Sequence, residues 1–289
     1  MITGMPRIAI AVEDFDGVIA TFAEVLGMPV LDVREETLRD LGAKVAMCVP
    51  AGGSNIEIMS PGIPDAPLSQ SVQRFLDHRG QGLFALMLEA PDPDLEAQVL
   101  LERGLNVLPL MTGAGGRDVH PSSTHGTLIR VYPTHSFDRE APGSCADGPT
   151  AGLTGIQRVQ MAVTDLEAAM DTYGRKFALP VSAPAVDPGR GVRAALCSPP
   201  TGGVIELLQV EDTGQPFAAS IAEFLAAGRE GMYALVLHCD DLHHARRALA
   251  GSGVSCIEVP GLAGTLELSC ASLSGCRFWL EAAKESINA

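Results

Sequence analysis

The chain has 289 residues, 46% of them hydrophobic and only 4% aromatic, with a net charge of −15. The length and apolar content fit two ordinary packed domains. The negative balance speaks against nucleic acid and anionic membrane surfaces, which both need concentrated Lys and Arg, and the scarcity of rings speaks against a base-stacking surface or a Trp-rich sugar cleft.

In chain order, RIAIAV at 7–12 reads as a strand. A helix is predicted over 14–27, with Phe15, Val18, Ile19, Phe22, Val25 and Leu26 at helical spacing. Asp14 and Asp16 suit its start and Gly27 its end. Apolar segments follow around Val30, around Val45 and at 56–59, giving β-α-β-β-β. A second unit then runs through a short helix at 71–78, a strand LFALML at 83–88 and a helix at 94–103. Strands are expected near Val107, near 118–120 and at 127–131. The stretch 133–153, rich in Pro, Gly, Ser, Thr and Asp, reads as a linker, with boundaries drawn at 1–135, 136–153 and 154–289.

After the linker the pattern restarts, and RVQMAV at 158–163 opens it. A helix over 165–177 places Leu166, Ala169, Met170 and Tyr173 on one side. GVRAALCSPP answers GAKVAMCVP, VIELLQ answers NIEIMS, and FLAAGREGMYALVL answers FLDHRGQGLFALML. Glu57, Gly82, Ala85, Gly126 and Arg130 lie 149 positions before Glu206, Gly231, Ala234, Gly275 and Trp279, and Arg7 answers Arg158 after a small length change. The chain is a duplicated unit.

Seven cysteines, Cys48, Cys145, Cys197, Cys239, Cys256, Cys270 and Cys276, show no Cys-x-x-Cys spacing and sit mostly in apolar runs. They read as reduced, buried thiols in a cytoplasmic protein. No signal-peptide pattern opens the chain, and no apolar run reaches the length of a membrane span. GAGG at 113–116 lacks the Lys-Ser/Thr of a phosphate loop and reads as a hairpin. His243 and His244 read as a solvated helix face, and His120 and His125 fall in the last hairpin of the first copy.

The residues that ask for an explanation are Glu57 and Glu206, each a carboxylate in the middle of an apolar strand. Burying one is costly without a partner or a task.

With IEIMSP, the Pro-containing loop, the short helix, the QGLFALML strand and HPSSTHGTLIRV in view, the chain resembles the vicinal oxygen chelate superfamily, most of all its methylmalonyl-CoA epimerases. The resemblance implies an α+β fold of four βαβββ modules in two tandem domains, with sheets curled around a cavity. It also implies four metal-ligand positions per domain. These fall on Arg7, Glu57, Ala85 and Arg130 in the first copy and on Arg158, Glu206, Ala234 and Trp279 in the second. Ala and Trp offer no ligand, and a guanidinium has no lone pair to give. Neither a metal nor another cofactor is therefore expected, which argues against the ring-cleaving dioxygenases that share the two-domain layout.

The expectation is instead that Arg7 and Arg130 flank Glu57 in a net positive first cavity, while Arg158 faces Glu206 in a neutral second one partly filled by Trp279. A metal-independent enzyme would follow. Glu57 would be the base for proton transfer beside a carbonyl (isomerisation, epimerisation or elimination), and Arg7 and Arg130 would hold the anionic oxygen of a small organic acid or acyl thioester. Asp40 falls near an acid–base position of the epimerases, with a solvated loop as the alternative. His125, Phe84, Glu206, Arg158, Tyr233 and Trp279 would meet the substrate. Two alternatives stay open: a non-catalytic protein that sequesters a small apolar molecule, and a second copy with a purely structural role. No nucleic acid or membrane partner is expected, and the chain could work alone or as a homodimer.

Overall fold

The computed structural model describes residues 1–111, 115–137, 151–273 and 275–282. The first half runs β1 (Gly4–Ala11), α1 (Phe15–Ala20), β2 (Val30–Asp32), α2 (Arg34–Asp40), β3 (Ala43–Cys48), β4 (Gly52–Gly53) and β5 (Asn55–Pro61). It continues through α3 (Pro67–Arg79), β6 (Gly82–Ala90), α4 (Pro93–Glu102), β7 (Arg117–Val119) and β8 (Leu128–Pro133). The second half runs β9 (Leu153–Ala162), α5 (Leu166–Met170), β10 (Ala185–Asp187), β11 (Val192–Cys197), β12 (Val204–Val210) and α6 (Pro216–Ala226). It ends with β13 (Gly231–Cys239), α7 (Leu242–Leu249), β14 (Ser255–Glu258), β15 (Thr265–Ser269) and β16 (Phe278–Ala282).

Local chemistry explains the matching halves. Asp14 caps α1 by accepting from the Gly17 amide, and Asp165 caps α5 by accepting from the Ala168 amide, both at 3.0 Å. Each helix continues as a π-helical turn, Thr21–Val25 and Asp171–Lys176. The short helix expected at 71–78 begins earlier, because Pro67 supplies the fixed φ of a first helical turn. The polar stretch 34–40 is a helix and not a loop. It buries no residue, so it has no apolar stripe by which periodicity could reveal it. Of the expected linker, residues 138–150 lie outside the described residues, as do Cys145 and 113–114 of the Gly-rich stretch; Leu153 already belongs to β9.

The strands form two open, mixed sheets. The first has the order β2-β3-β5-β1-β6-β8-β7. The second has the order β10-β11-β12-β9-β13-β16-β15-β14, with β4 of the first half added beside β9. This is the α+β fold of two tandem units.

Strand alternation gives each sheet two faces. One face of both sheets enters a single shared core: Ile8, Ile58 and Leu86 from the first half meet Val159, Ile205 and Leu235 from the second. The other faces carry separate apolar clusters, covered by Val72 and Leu76 of α3 in the first half and by Phe217 and Ile221 of α6 in the second. Of the residues singled out by sequence, Glu57, Ala85, Arg130 and their equivalents lie on these separate faces.

Candidate functional site

In the first half, Ala9 of β1 pairs with Glu57 of β5 on one side and with Ala85 of β6 on the other. A row across the sheet joins Arg7 of β1, Met87 of β6, Arg130 of β8 and Asp118 of β7. Arg7, Glu57, Arg130 and Asp118 are all buried. An Arg7 Nη1 lies 3.4 Å from Glu57 Oε2. The Arg7 guanidinium also covers the Tyr132 ring at 4.2 Å and donates to the Ser136 hydroxyl at 3.1 Å. Arg7 Nε and Glu57 Oε2 are buried without any hydrogen bond.

Arg130 and Arg7 both approach the Tyr132 ring, at 5.9 and 4.2 Å, but the ion-pair partner of Arg130 is not Glu57. Asp118, directly opposite on β7, takes Arg130 through both carboxylate oxygens, with Nη2 at 2.5 Å from Oδ2. Burial opposes the Arg130 charge, but the Asp118 hydrogen bonds and the neighbouring Tyr132 outweigh it and hold the guanidinium charged. The first site is therefore neutral, with two Arg matched by Glu57 and Asp118, and not net positive as expected. Asp118 was read only as part of a strand; nothing in the sequence says which side chain sits opposite Arg130. Tyr132 was missed as well. Burial pushes its phenol above the ordinary value, so it stays protonated.

The second half places an equivalent row: Arg158, Val236, Trp279 and Glu267. Where Arg130 meets Asp118, Trp279 Nε1 donates to Glu267 at 3.4 Å. The Trp279 ring packs edge-on against Phe217 and Tyr233. Glu206 is saturated. Arg158 Nε and Gln160 Nε2 donate to its Oε2 at 2.9 and 2.8 Å, and Arg190 Nη1 donates to its Oε1 at 2.7 Å. Burial pushes Glu206 up, but Arg190, Arg158 and the Gln160 hydrogen bond outweigh it and hold the carboxyl below its usual range. Arg158 also donates to Glu281 at 2.7 Å, and Arg190 to Asp187 at 2.7 Å. Arg190 arrives from the loop before β11; its register counterpart is the apolar Leu41, so the repeat itself gave no charged pair to notice there.

Beside this cluster lies an open cavity of about 760 Å³, lined by Arg158, Arg190, Glu206, Glu281 and apolar side chains such as Leu196 and Leu262. Sequence reasoning favoured the first copy as the site. In the first half Ser136, Tyr132 and Phe137 cover Arg7, and in the second a cavity opens beside Arg158. Two Arg against Asp187, Glu206 and Glu281 leave the second cavity short of positive charge, and not neutral as expected.

The remaining candidates lie elsewhere. Asp40 ends α2 with its side chain 60% exposed and is bonded to its neighbour Arg39 at 2.9 Å. His125 lies between the halves, where it lines a pocket that does not include Glu57: Nδ1 faces Glu230 and Nε2 faces Thr172, each at 3.3 Å. Phe84 and Tyr233 sit at matching bulges of β6 and β13 and line a pocket between the halves.

The ligand positions implied by the resemblance do not fit a divalent cation. Each half supplies one carboxylate already beside a guanidinium, an Ala, and an Arg or Trp that cannot ligate. Among the described residues, no three His, Cys, Asp or Glu side chains are arranged to hold a metal ion.

Residues 157–268 match the family model described as Glyoxalase/Bleomycin resistance protein/Dioxygenase superfamily. The matched stretch covers most of the second half, whose architecture the first half repeats. The whole chain is similar in fold to a triple mutant of 4-hydroxymandelate synthase from Streptomyces coelicolor. That similarity has 15% identity and a TM-score of 0.65, and covers 97% of this chain and 92% of that one. A second similar structure is a xylose isomerase-like TIM barrel/4-hydroxyphenylpyruvate dioxygenase fusion protein, again at 15% identity and a TM-score of 0.65, with 100% of this chain and 50% of that chain covered. No curated protein matches the chain.

Proposed function

We propose that the chain is a metal-independent enzyme that transfers a proton beside the carbonyl of a small organic acid or acyl thioester, with Glu57 as the base. The carrying observation is the asymmetry between the two equivalent glutamates. Glu206 is saturated by three donors, whereas Glu57 Oε2 has only the Arg7 guanidinium at 3.4 Å and no hydrogen bond. An unsatisfied buried oxygen costs about 1–3 kcal/mol and asks for a function. In this reading Glu57 takes the proton, and the electron pair of the broken C–H bond moves onto the carbonyl oxygen. Arg7, whose Nε–H is also free, donates to that oxygen. Glu57 then returns the proton to carbon. Arg130 acts through Tyr132, holding its hydroxyl at 3.4 Å, and is a positioning residue. Ser136 and Phe137 must swing aside to admit substrate.

The test is deuterium uptake from heavy water at the carbon next to the carbonyl, read by NMR over a panel of short organic acids and acyl thioesters. The expectation is exchange that Glu57→Gln slows at least about 100-fold and Glu206→Gln preserves. No exchange across the panel, or full exchange in Glu57→Gln, rejects the proposal.

A second reading has its own observation, the open second cavity around a saturated carboxylate: a protein that binds and sequesters a small molecule there. Chemical conversion of a compound bound in that cavity counts against it.

A further inference from the structure

A third site lies on the axis that relates the two halves, away from both sheet faces described above. Here Gly126 packs against the Glu230 carbonyl and its equivalent Gly275 against the Gln81 carbonyl. Above this contact opens a pocket of about 340 Å³. That is at the low end of small-molecule sites, roughly 300–1,000 Å³. Its apolar walls are two equivalent aromatic pairs on opposite sides of the axis. Phe75 and Phe84 meet edge-on at 5.2 Å, and Phe224 and Tyr233 at 5.1 Å.

Its charge departs from that of the chain. Arg79, Arg229 and Arg277 line the pocket, and among the described residues none of them has a carboxylate in ion-pair range. The two carboxylates present are occupied. Glu230 accepts from the Thr164 amide and hydroxyl at 3.0 Å, and Glu267 from Trp279. Arg277 is held in place by stacking at 4.3 Å over the Tyr233 ring, with its Nη1 buried and unbonded. A buried guanidinium N–H without an acceptor is costly and is relieved by an anion. The local excess is one positive charge in a chain of net charge −15.

We infer that this pocket binds a small aromatic carboxylate. The ring lies between the Phe75–Phe84 and Phe224–Tyr233 pairs, and the carboxylate is met by Arg277 with Arg79 or Arg229. No bond is made or broken. The site is independent of Glu57.

The probe is benzoate, titrated into the full-length protein and followed by calorimetry and by fluorescence. Trp279 is the one tryptophan of the chain, and its ring lies 5.8 Å from Tyr233. The expected result is saturable binding at about 1 mM or tighter at low salt. Benzamide, the same ring without the charge, binds at least about tenfold more weakly, and Arg277→Gln weakens benzoate by a similar factor. Should Arg277→Gln fail to fold by circular dichroism, Arg79→Gln, on a partly exposed side chain, carries the same expectation. Glu57→Gln leaves benzoate affinity unchanged, which separates this site from the proposed catalytic one. The inference is overturned by no benzoate binding up to about 10 mM, by equal affinity for benzamide, by folded Arg variants that bind as well as the parent, or by a loss of affinity in Glu57→Gln.

Discussion

The backbone amide of Gly203 donates to the hydroxyl of Ser54 at 2.9 Å, and these two residues are equivalents, 149 positions apart in the repeat. Equivalent residues can touch only where the axis relating the halves passes. Ser54 is fully buried and also donates to the Met5 carbonyl. Its hydroxyl thus ties a loop of each half to β1. Ser54→Ala should cost about 1–3 kcal/mol, since it leaves two buried backbone groups without their partner. Urea unfolding measures this; a change below about 0.5 kcal/mol would mean that the contact contributes nothing.

The same axis explains four glycines. A Cβ on Gly53 would lie 1.8 Å from the Ile156 carbonyl oxygen, and one on its equivalent Gly202 2.1 Å from that of Met5. Gly126 and Gly275 meet the other half in the same way. Gly202→Ala should therefore destabilise by about 2–5 kcal/mol, combining positive-φ strain with a backbone clash. Gly104→Ala, at φ 80 with nothing within 4 Å, should cost only the strain, about 1–2 kcal/mol. Equal losses in the two variants by thermal unfolding would refute the close approach of the halves.

Arg130 and Asp118 form a buried pair, so removing one partner strands the other charge. Arg130→Met should destabilise by about 3–5 kcal/mol. The double change Arg130→Met with Asp118→Leu should recover most of that loss. A double-mutant cycle in urea reads the coupling. If Arg130→Met costs little stability, Arg130 is not held by Asp118.

Glu206 gives a pH signature. Its folded-state pKa lies below the ordinary 4.5, held there by Arg190, Arg158 and Gln160 against the upward push of burial. The stabilisation is complete above the ordinary carboxylate range and is lost as pH falls from about 4.5 through the folded value. Unfolding free energies between about pH 7 and pH 3 should fall less steeply in Glu206→Gln than in the parent. Parallel curves would show that the cluster does not hold Glu206 ionised.

Much of the fold was legible from residues. Paired runs such as NIEIMS and VIELLQ, and glycines repeated at a constant spacing, announced the duplication and placed the central strands of each sheet, while the short strands β4, β10, β14 and β15 went unread. Helix α2 was not legible, because it buries nothing and so has no apolar period. Of the site, the positions of Arg7, Glu57, Arg158 and Glu206 on equivalent strands followed from register. Whether Arg130 or Trp279 joined them did not.

The sequence by itself determined that two copies of one α+β unit lie in tandem and that each carries a glutamate in mid-strand, because periodicity and spacing are properties of the chain. Only the tertiary structure decided which charges meet. Asp118 claims Arg130 because strand order sets them opposite each other and puts two strands between Arg130 and Glu57. Arg190 saturates Glu206 from a position that holds Leu41 in the first copy, and Glu57 Oε2 is left with the Arg7 charge at 3.4 Å and no hydrogen bond. The aromatic pocket between the halves exists only because the two copies pack about an axis. Such pairings depend on strand order, side-chain direction and the docking of one half on the other, none of which is written in the spacing of residues along the chain.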